Sequence, residues 1–324
     1  MQNKLIVILG PTASGKTALS IKLAKKFNGE IVSADSRQVY KGMDIGSGKV
    51  TKKEMVGIPH YLLDVVSPKT RFTVAQYQKL ALKKIKNIQK RGKIPILVGG
   101  TGFYIQSVID GIVIPQVKPD WKLREKLSSQ PLPELVKRLA VLDPVRAGNI
   151  DPNNPRRVIR ALEIVLKTGN PVPQIDQLQI DRLPMSISFE VLQIAVKKSP
   201  TELKNLIHKR LMKRLVRRCR ASTNRSPAST ASTEKIAESP LINEVEKLHK
   251  SGVSWKRLEE FGLEYRYVAQ YLQNKISEQE MINKIQIESE HYAKRQMTWF
   301  KRDKNIKWIK NYKATEKLTK KYIH

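Results

Sequence analysis

Cysteine is almost absent from this 324-residue chain, which contains only Cys219. A single thiol excludes an internal disulfide framework and a zinc site built from several cysteines. The five histidines are scattered and do not have metal-ligand spacing; they are His60, His208, His249, His291 and His324. No apolar run approaches the roughly 20 residues of a membrane helix, and Leu5–Leu9 is too short for a signal-peptide core. These absences predict a protein of the reducing cytoplasm that does not enter a membrane.

Acidic residues are scarce relative to basic ones. Lysine and arginine number 61 and aspartate and glutamate 29, which gives a formal net charge of +32. This excess favours a polyanionic partner, with nucleic acid as the first candidate and an anionic membrane surface as the second. Apolar residues make up 40% of the chain, so one large domain or two modest ones can bury a core. Nothing in the sequence indicates an obligate dimer, and a monomer is expected.

The first hundred residues alternate between strand and helix patterns. Short runs at Leu5–Leu9, Glu30–Ser33 and Ile94–Val98 predict buried strands, and the apolar spacing of Lys16–Phe27 and Thr73–Arg91 predicts helices. This order predicts an α/β fold, with a P-loop NTPase-like core and a parallel sheet flanked by helices.

The pattern changes further along the chain. Polar helical segments replace the alternation, and a strand pattern returns only at Ser186–Val196. We therefore predict an inserted all-helical domain at 117–182, within a catalytic core formed by residues 1–116 and 183–324. Residues 217–240 are rich in serine, threonine and arginine and predict a disordered low-complexity insertion.

The segment Gly10-Pro11-Thr12-Ala13-Ser14-Gly15-Lys16-Thr17 fits the pattern G-x-x-x-x-G-K-[ST] between a predicted strand and a predicted helix. In such a loop, backbone N–H groups surround a phosphate, and the following helix N-terminus favours negative charge. Lys16 is expected to neutralise a diphosphate, and Thr17 to hold Mg²⁺ through it. The motif predicts a bound diphosphate but does not assign that diphosphate to ATP.

Two further loops follow predicted strands. Because the carboxyl ends of neighbouring parallel strands share one crevice, Asp35 is expected to face the phosphate loop. It would act there as a general base or an outer-shell magnesium partner, with a helix N-cap or a solvated acid as the alternatives. Thr101 stands where a P-loop NTPase usually carries a magnesium-binding aspartate, which counts against ATP hydrolysis. For Gly99–Gly102, a tight turn that needs glycine torsions is the alternative.

Basic residues recur in two places. Arg156 and Arg160 lie one helical turn apart, and His291–Phe300 interleaves basic with aromatic side chains. Such a mixture suits phosphate contacts combined with base stacking. An amphipathic helix whose cations reach out to solvent is the alternative.

In these motifs the chain resembles the tRNA dimethylallyltransferase family, whose members isopentenylate an adenosine beside the anticodon. The resemblance implies transfer of the five-carbon group of dimethylallyl diphosphate to N6 of the adenosine immediately 3′ of the anticodon, with diphosphate leaving and Mg²⁺ assisting. No hydrolytic water has to be positioned, which accounts for a strand end without an acid. The matching segments follow the family's order over nearly the whole chain: Gly10–Thr17, Ser33–Tyr40, Ile58–His60, Ile94–Tyr104, Asp151–Glu163 and Tyr292–Phe300.

The resemblance also implies roles for single residues. Asp35 is implied as the general base for the N6 amine, Thr101 as the group that orients it, and Lys16 as a stabiliser of the departing diphosphate. Ser36, Arg37 and Gln38 are expected to contact the flipped-out adenosine and its neighbours. Further contacts to the tRNA anticodon stem-loop are implied at Arg124, Arg156, Arg157, Arg160, Arg266, Lys294, Arg295 and Gln296. The helical insertion corresponds to the family's mobile domain that grips the anticodon stem.

Two features depart from the family pattern. A long Arg- and Ser/Thr-rich segment separates His208–Leu215 from Leu241–Glu246, and Glu264 precedes Tyr265 in place of the more common glycine. Two rival functions stand beside tRNA prenylation. A P-loop kinase of a nucleoside or small metabolite leaves the charge of +32 unexplained, and a non-catalytic RNA-binding protein leaves Asp35 unexplained.

Overall fold

The computed structural model of the chain describes residues 3–112, 115, 117–173, 189–215 and 239–323. The chain divides into two units, one formed by Met1–Ile109 with Ser188–His324 and the other by Asp110–Ile187. The predicted low-complexity insertion at 217–240 lies outside the described residues, apart from Ser239 and Pro240.

The elements alternate in the first part of the chain and are mainly helical after it. The strands are β1 (Lys4–Leu9), β2 (Gly29–Ala34), β3 (His60–Tyr61), β4 (Ile94–Gly99), β5 (Glu190–Val196) and β6 (Lys307–Ile309). The helices are α1 (Lys16–Lys26), α2 (Lys52–Met55), α3 (Val74–Lys90), α4 (Gly102–Ile109), α5 (Trp121–Ser128), α6 (Leu132–Leu142), α7 (Pro144–Asn149), α8 (Pro155–Thr168), α9 (Pro200–Leu215), α10 (Pro240–Lys250), α11 (Trp255–Phe261), α12 (Leu263–Leu272), α13 (Glu278–Phe300) and α14 (Tyr312–Ile323).

The strands of the first unit form one sheet in the order β3-β2-β4-β1-β5-β6. All neighbouring strands are parallel, which confirms the predicted α/β class with a P-loop-like core. In the register, Gly99 pairs with both Leu9 and Ala34, the last residues of β1 and β2. The loops that follow these three strands therefore begin at the same level of one sheet edge.

The central strands are buried on both faces, which explains their uninterrupted apolar runs. Alternate residues of β1 point to opposite layers: Val7 packs in the cluster that contains Tyr77 and Ile85 of α3, and Ile8 in the cluster that contains Leu23 of α1. A Thr73 capping box with Gln76 starts α3, as the predicted helix boundary requires.

Helices α9 to α13 form another cluster with the chain that follows β2. Val39 and Met43 are fully buried there against residues of α9 and α10. The Ser239 hydroxyl, which caps α10, donates to the carbonyl oxygen of Arg214 at 3.4 Å, so the last turn of α9 and the first turn of α10 are adjacent. This packing fixes the segment that carries Asp35.

In the second unit, all elements among the described residues are helices, α5 to α8. Its core includes Leu139, Val158 and Leu162. The cap of α8 is as predicted: Asn154 accepts from the backbone N–H of Arg157, with Pro155 in the first helical position. Within the described ranges of both units, no helix has the length and apolarity needed to cross a membrane.

Candidate active site

The segment Gly10–Gly15 forms a loop between β1 and α1, at the position of the predicted phosphate-binding motif. Its backbone has positive φ at Gly10 (+141°) and Gly15 (+90°), a region that glycine adopts without strain, and also at Ala13 (+60°). Ser14 is buried, and its hydroxyl has no hydrogen-bond partner within the described part of the chain. The loop ends at the N-terminus of α1, where unpaired N–H groups and the helix dipole favour an anion.

Lys16 spans this loop, because its Nζ donates to the carbonyl oxygen of Pro11 at 2.6 Å. Burial, followed by the charge of the neighbouring Arg210, lowers the pKa of Lys16 to about 7, although the Asp35 carboxylate opposes this shift. The side chain is therefore a cation that the free protein solvates poorly, which is the condition for strong attraction to a bound anion.

Asp35 and Thr101 lie side by side, as the common register of the strand ends predicts. The Thr101 hydroxyl accepts from the backbone N–H of Ser36 at 3.1 Å. Asp35 Oδ1 accepts from the backbone N–H groups of Arg37 at 2.8 Å and Gln38 at 3.3 Å. Within the described residues, Asp35 Oδ2 accepts no hydrogen bond from the protein, so one oxygen fixes the loop and the other is available to a substrate.

The surroundings of Asp35 combine cations with tyrosines. Burial lowers the pKa values of both Arg37 and Arg210, and the charge of Asp35 opposes this shift in each case. Burial, followed by the Asp35 charge, raises the pKa of Tyr292 to about 12, and the charge of Arg37 and a hydrogen bond with Thr101 oppose that rise. The carboxylate thus lies in a partly dehydrated setting that keeps the surrounding phenols protonated.

The glycines at the end of β4 and directly after it are required by close packing rather than by torsion. None of Gly99, Gly100 and Gly102 has a positive φ, so the tight-turn alternative is wrong. A Cβ on Gly99 would overlap the carbonyl oxygen of Ala34, and one on Gly100 would overlap the side-chain amide of Gln296. Glycine therefore lets the strand ends that carry Asp35 and Thr101 approach each other.

Gln296, for which the resemblance implies a tRNA contact, also has a role within the protein. It lies on the buried face of α13 and is only 6% exposed. Its Oε1 accepts from the backbone N–H of Thr12 at 2.8 Å, and its Nε2 donates to the carbonyl oxygen of Gly100 at 2.7 Å. Through the two ends of its amide, Gln296 joins the phosphate loop to the loop that follows β4.

Two arginines of the site were not among the predicted site residues. Arg210 of α9 donates to the Thr12 hydroxyl at 3.0 Å and to the carbonyl oxygen of Ser47 at 3.4 Å. Burial, followed by the charge of Arg214, lowers the pKa of Arg210 to about 10. Arg214, one turn further on, forms an ion pair with Glu264 at 2.5 Å. The i, i+4 spacing of these arginines is the sequence signal that could have placed them on one helix face.

Ser36, Arg37 and Gln38 remain beside Asp35. The guanidinium of Arg37 lies over the ring of Phe261, with 5.6 Å between its Cζ and the ring centroid. Gln38 Nε2 donates to the carbonyl oxygen of Gly48 at 3.3 Å, and Gln38 Oε1 accepts from the Ser33 hydroxyl at 3.3 Å. These bonds hold the Gln38 amide in place.

The remaining predicted contacts of the first unit lie on helices. Lys294 and Arg295 are exposed on α13. Arg266 of α12 donates through Nε to the carbonyl oxygen of Glu259 at 3.1 Å. Lys294 and Arg295 therefore present charge to solvent, whereas Arg266 also serves the protein's own backbone.

In the second unit, the four predicted arginines separate into two pairs. Arg156 and Arg157 are exposed in the first turn of α8. Arg124 pairs with the fully buried carboxylate of Glu163 at 2.7 Å, and Arg160 pairs with the same carboxylate. Arg124 and Arg160 therefore also serve the protein itself, because a buried carboxylate requires cationic partners.

A magnesium ion fits this site only together with a phosphate ligand. Thr17 lies exposed in the first turn of α1. Mg²⁺ keeps several waters and usually takes one or two protein oxygens with phosphate oxygens. Over the described residues, no group of three or more His, Cys, Asp or Glu side chains could hold a metal alone. A hydroxyl at the phosphate loop therefore suits a metal that arrives with a diphosphate.

The chain is similar to known proteins over its whole length. The model of the IPP transferase family matches residues 38–219 and 229–303. The tRNA dimethylallyltransferases of Thermoanaerobacter sp. (strain X514) and Carboxydothermus hydrogenoformans are 38% and 40% identical over 100% of this chain and 97% of their own.

Two solved structures are similar over most of the chain. The full-length tRNA isopentenylpyrophosphate transferase of Bacillus halodurans has a TM-score of 0.67 and 34% identity, over 99% of this chain and 95% of its own. A eukaryotic dimethylallyltransferase acting on tRNA has a TM-score of 0.70 and 28% identity, over 92% of this chain and 69% of its own. On this combined sequence and structural similarity, the chain belongs to the IPP transferase family.

Proposed function

We propose that this protein transfers the dimethylallyl group of dimethylallyl diphosphate to N6 of the adenosine immediately 3′ of a tRNA anticodon. The observation that carries the proposal is the meeting of one carboxylate, Asp35, with the half-buried cations Lys16 and Arg210 at one edge of the sheet. A carboxylate with a free oxygen suits an amine nucleophile, and the cations suit a diphosphate leaving group. The names of the relatives support the same reaction.

The diphosphate end of the donor is proposed to lie in the phosphate loop, on Gly10, Pro11, Thr12, Ala13, Ser14, Gly15, Lys16 and Thr17. When the C1–O bond of the donor breaks, negative charge grows on the departing diphosphate. Lys16 and Arg210 are already oriented there by Pro11 and Thr12, so they stabilise that charge without reorganising. Magnesium bound to the diphosphate through Thr17 would supply further charge neutralisation.

The adenosine end of the reaction is proposed to lie at Asp35 and Thr101. As N6 attacks C1 of the donor, the new N–C bond forms while the C1–O bond breaks, and Asp35 Oδ2 accepts the N6 proton. Thr101 would orient the amine, since its hydroxyl already lies within hydrogen-bond reach of the Ser36 backbone N–H. The base has to leave the anticodon stack to reach this position, with Arg37 and Gln38 beside it.

The formal charge of +32 supports tRNA as the partner. Exposed cations are proposed to contact RNA phosphates: Arg156, Arg157, Lys294 and Arg295. We propose that the protein acts on its substrates as a monomer in the cytoplasm. The kinase alternative is not favoured, because it leaves this charge and the family membership unexplained.

The test compares two donors. Purified protein is incubated with unmodified tRNA, Mg²⁺ and either dimethylallyl diphosphate or ATP, and the digested nucleosides are weighed by mass spectrometry. We expect a prenylated adenosine with the allylic donor alone. In a parallel reaction that supplies nucleosides in place of tRNA, a phosphorylated product made with ATP would favour the kinase. Binding of tRNA without any product would favour a binding protein.

A further inference from the structure

We propose that Glu244 of α10 is a positioning residue for the diphosphate site. It acts by fixing the loop Asp44–Gly48, called the 44–48 loop below, and through this loop the two arginines of α9. The inference deepens the proposed function and rests on it for the identity of the anion that the arginines meet.

Glu244 binds three consecutive backbone N–H groups of the 44–48 loop. Its Oε2 accepts from Asp44 at 2.8 Å and from Ile45 at 2.6 Å, and its Oε1 accepts from Gly46 at 3.0 Å. The Tyr265 hydroxyl donates to the same Oε1 at 2.8 Å. A carboxylate only accepts hydrogen bonds, and those it accepts from N–H groups are stronger than bonds between neutral groups.

Tyr265 extends this arrangement by one residue. Its hydroxyl accepts from the backbone N–H of Ser47 at 3.1 Å, and the residue is 1% exposed. The ring lies so close to Gly46 that an added Cβ would come within 2.7 Å of it. All four N–H groups from residue 44 to residue 47 are therefore bound by the Glu244–Tyr265 pair.

The carbonyl groups of the same loop hold the arginines. Gly46 accepts from Arg214 at 3.1 Å, and Ser47 accepts from Arg210 at 3.4 Å. Gly48 has φ of +62°, and a Cβ there would overlap both guanidinium groups, so only glycine fits beneath them. A loop that moved would release the guanidinium of Arg210 from its place beside Thr12.

These contacts form one chain of support. Glu244 and Tyr265 set the N–H side of the 44–48 loop, the loop's carbonyl side sets Arg210, and Arg210 donates to the phosphate loop. Glu244 lies outside the phosphate loop, yet its substitution is expected to weaken diphosphate binding at that loop. Because the effect of Glu244 passes through Arg210, a variant of Arg210 distinguishes this specific effect from a general loss of stability.

The experiment compares Glu244→Gln with Glu246→Gln. An amide retains one accepting oxygen and replaces the other with a donor, so it cannot satisfy all three N–H groups. The control, Glu246, lies on the same helix and forms a surface ion pair with Lys250 at 2.8 Å. Binding of inorganic diphosphate is measured by calorimetry, together with the melting temperature, the KM for each substrate and kcat.

For Glu244→Gln we expect about tenfold weaker diphosphate binding, a higher KM for the prenyl donor, and an unchanged KM for tRNA. Glu246→Gln is expected to match the wild type. In an Arg210→Ala background, Glu244→Gln is expected to cause no further loss, because two changes in one chain of contacts are not additive.

An additive loss in the Arg210→Ala background, or unchanged diphosphate affinity in folded Glu244→Gln, would overturn the proposal. If Glu244→Gln does not fold, Tyr265→Phe removes the hydroxyl that bonds Glu244 and Ser47 and should weaken diphosphate binding in the same direction. Unchanged binding in that variant would equally reject the role. The calorimetry needs no prenyl transfer, so its result stays separate from any failure of the proposed function.

Discussion

Diphosphate binding should weaken as the pH rises above neutrality, because Lys16 loses its charge there. Burial, followed by Arg210, lowers the pKa of this ammonium to about 7. In the free protein about half of the molecules then carry a neutral Lys16 at pH 7, and about 1% carry a charged one at pH 9. A bound diphosphate favours the charged form, so binding takes up a proton in this range. The affinity should therefore be about 50-fold lower at pH 9 than at pH 7.

Isothermal titration of inorganic diphosphate from pH 6 to pH 9 measures this loss directly. At pH 8, titrations in two buffers of different ionisation enthalpy should reveal uptake of nearly one proton. Lys16→Arg is the control, since a guanidinium stays charged over the whole range. The pH dependence of diphosphate affinity in this variant reflects only the protonation of the ligand. The difference between the pH curves of the wild type and the variant is therefore due to Lys16.

The same group should affect stability with the opposite sign. The folded-state pKa of Lys16, about 7, lies below its ordinary value of 10.5. The unfolded chain therefore holds more protons between these two pH values, and the contribution of Lys16 to the free energy of unfolding becomes more favourable as the pH rises.

Identical pH dependence of diphosphate binding in the wild type and in Lys16→Arg would refute the reasoning.

Three further changes probe the site and its surroundings. Asp35→Asn keeps an oxygen that can accept from the Arg37 and Gln38 backbone N–H groups, so tRNA affinity should persist. The turnover rate should fall about 10²-fold or more, because the amide cannot accept the N6 proton. An equal loss of tRNA binding in a filter assay would contradict the role of Asp35 as the base. Gly99→Ala forces a methyl group against the Ala34 carbonyl, so it should lower the free energy of unfolding by about 1–3 kcal/mol in denaturant titrations and should also lower activity. In the control Gly148→Ala, the added methyl group meets no atom within 4 Å, so stability and activity should not change. Deleting residues 219–238 should leave kcat and both KM values within about twofold of the wild type, because Arg214 and Ser239 already lie in contact. A large loss of tRNA affinity would instead show that the deleted segment contributes to tRNA binding.

The sequence predicts the part of the site that strand ends create. Apolar runs identify β1 and β4, and the rule that parallel strands end at one edge brings Asp35 and Thr101 together. The observed register, in which Gly99 pairs with both Leu9 and Ala34, is the physical form of that rule. A local motif is thus enough to predict a site when the sheet order alone determines which other loops lie beside it.

The rest depends on contacts between distant segments. Arg210 and Glu244 meet the 44–48 loop only after the helices pack, and no local pattern reports that meeting. Arginines also look alike in a sequence: Arg156 is exposed, whereas Arg160 is committed to the buried carboxylate of Glu163. Gln296 did carry a signal, because helical spacing from Ile285 places it on the buried face of α13.

The adjacency of Arg214 and Ser239 bears on how this chain can be altered in the laboratory. Leu211 and Leu215 pack in the same apolar cluster as Leu241, so the two helices are held together by noncovalent contacts as well as by the backbone between them. A gene split between the codons for α9 and α10 should therefore yield two polypeptides that associate into one enzyme. The junction is also a natural point at which to insert a reporter domain without disturbing Arg210 or Glu244.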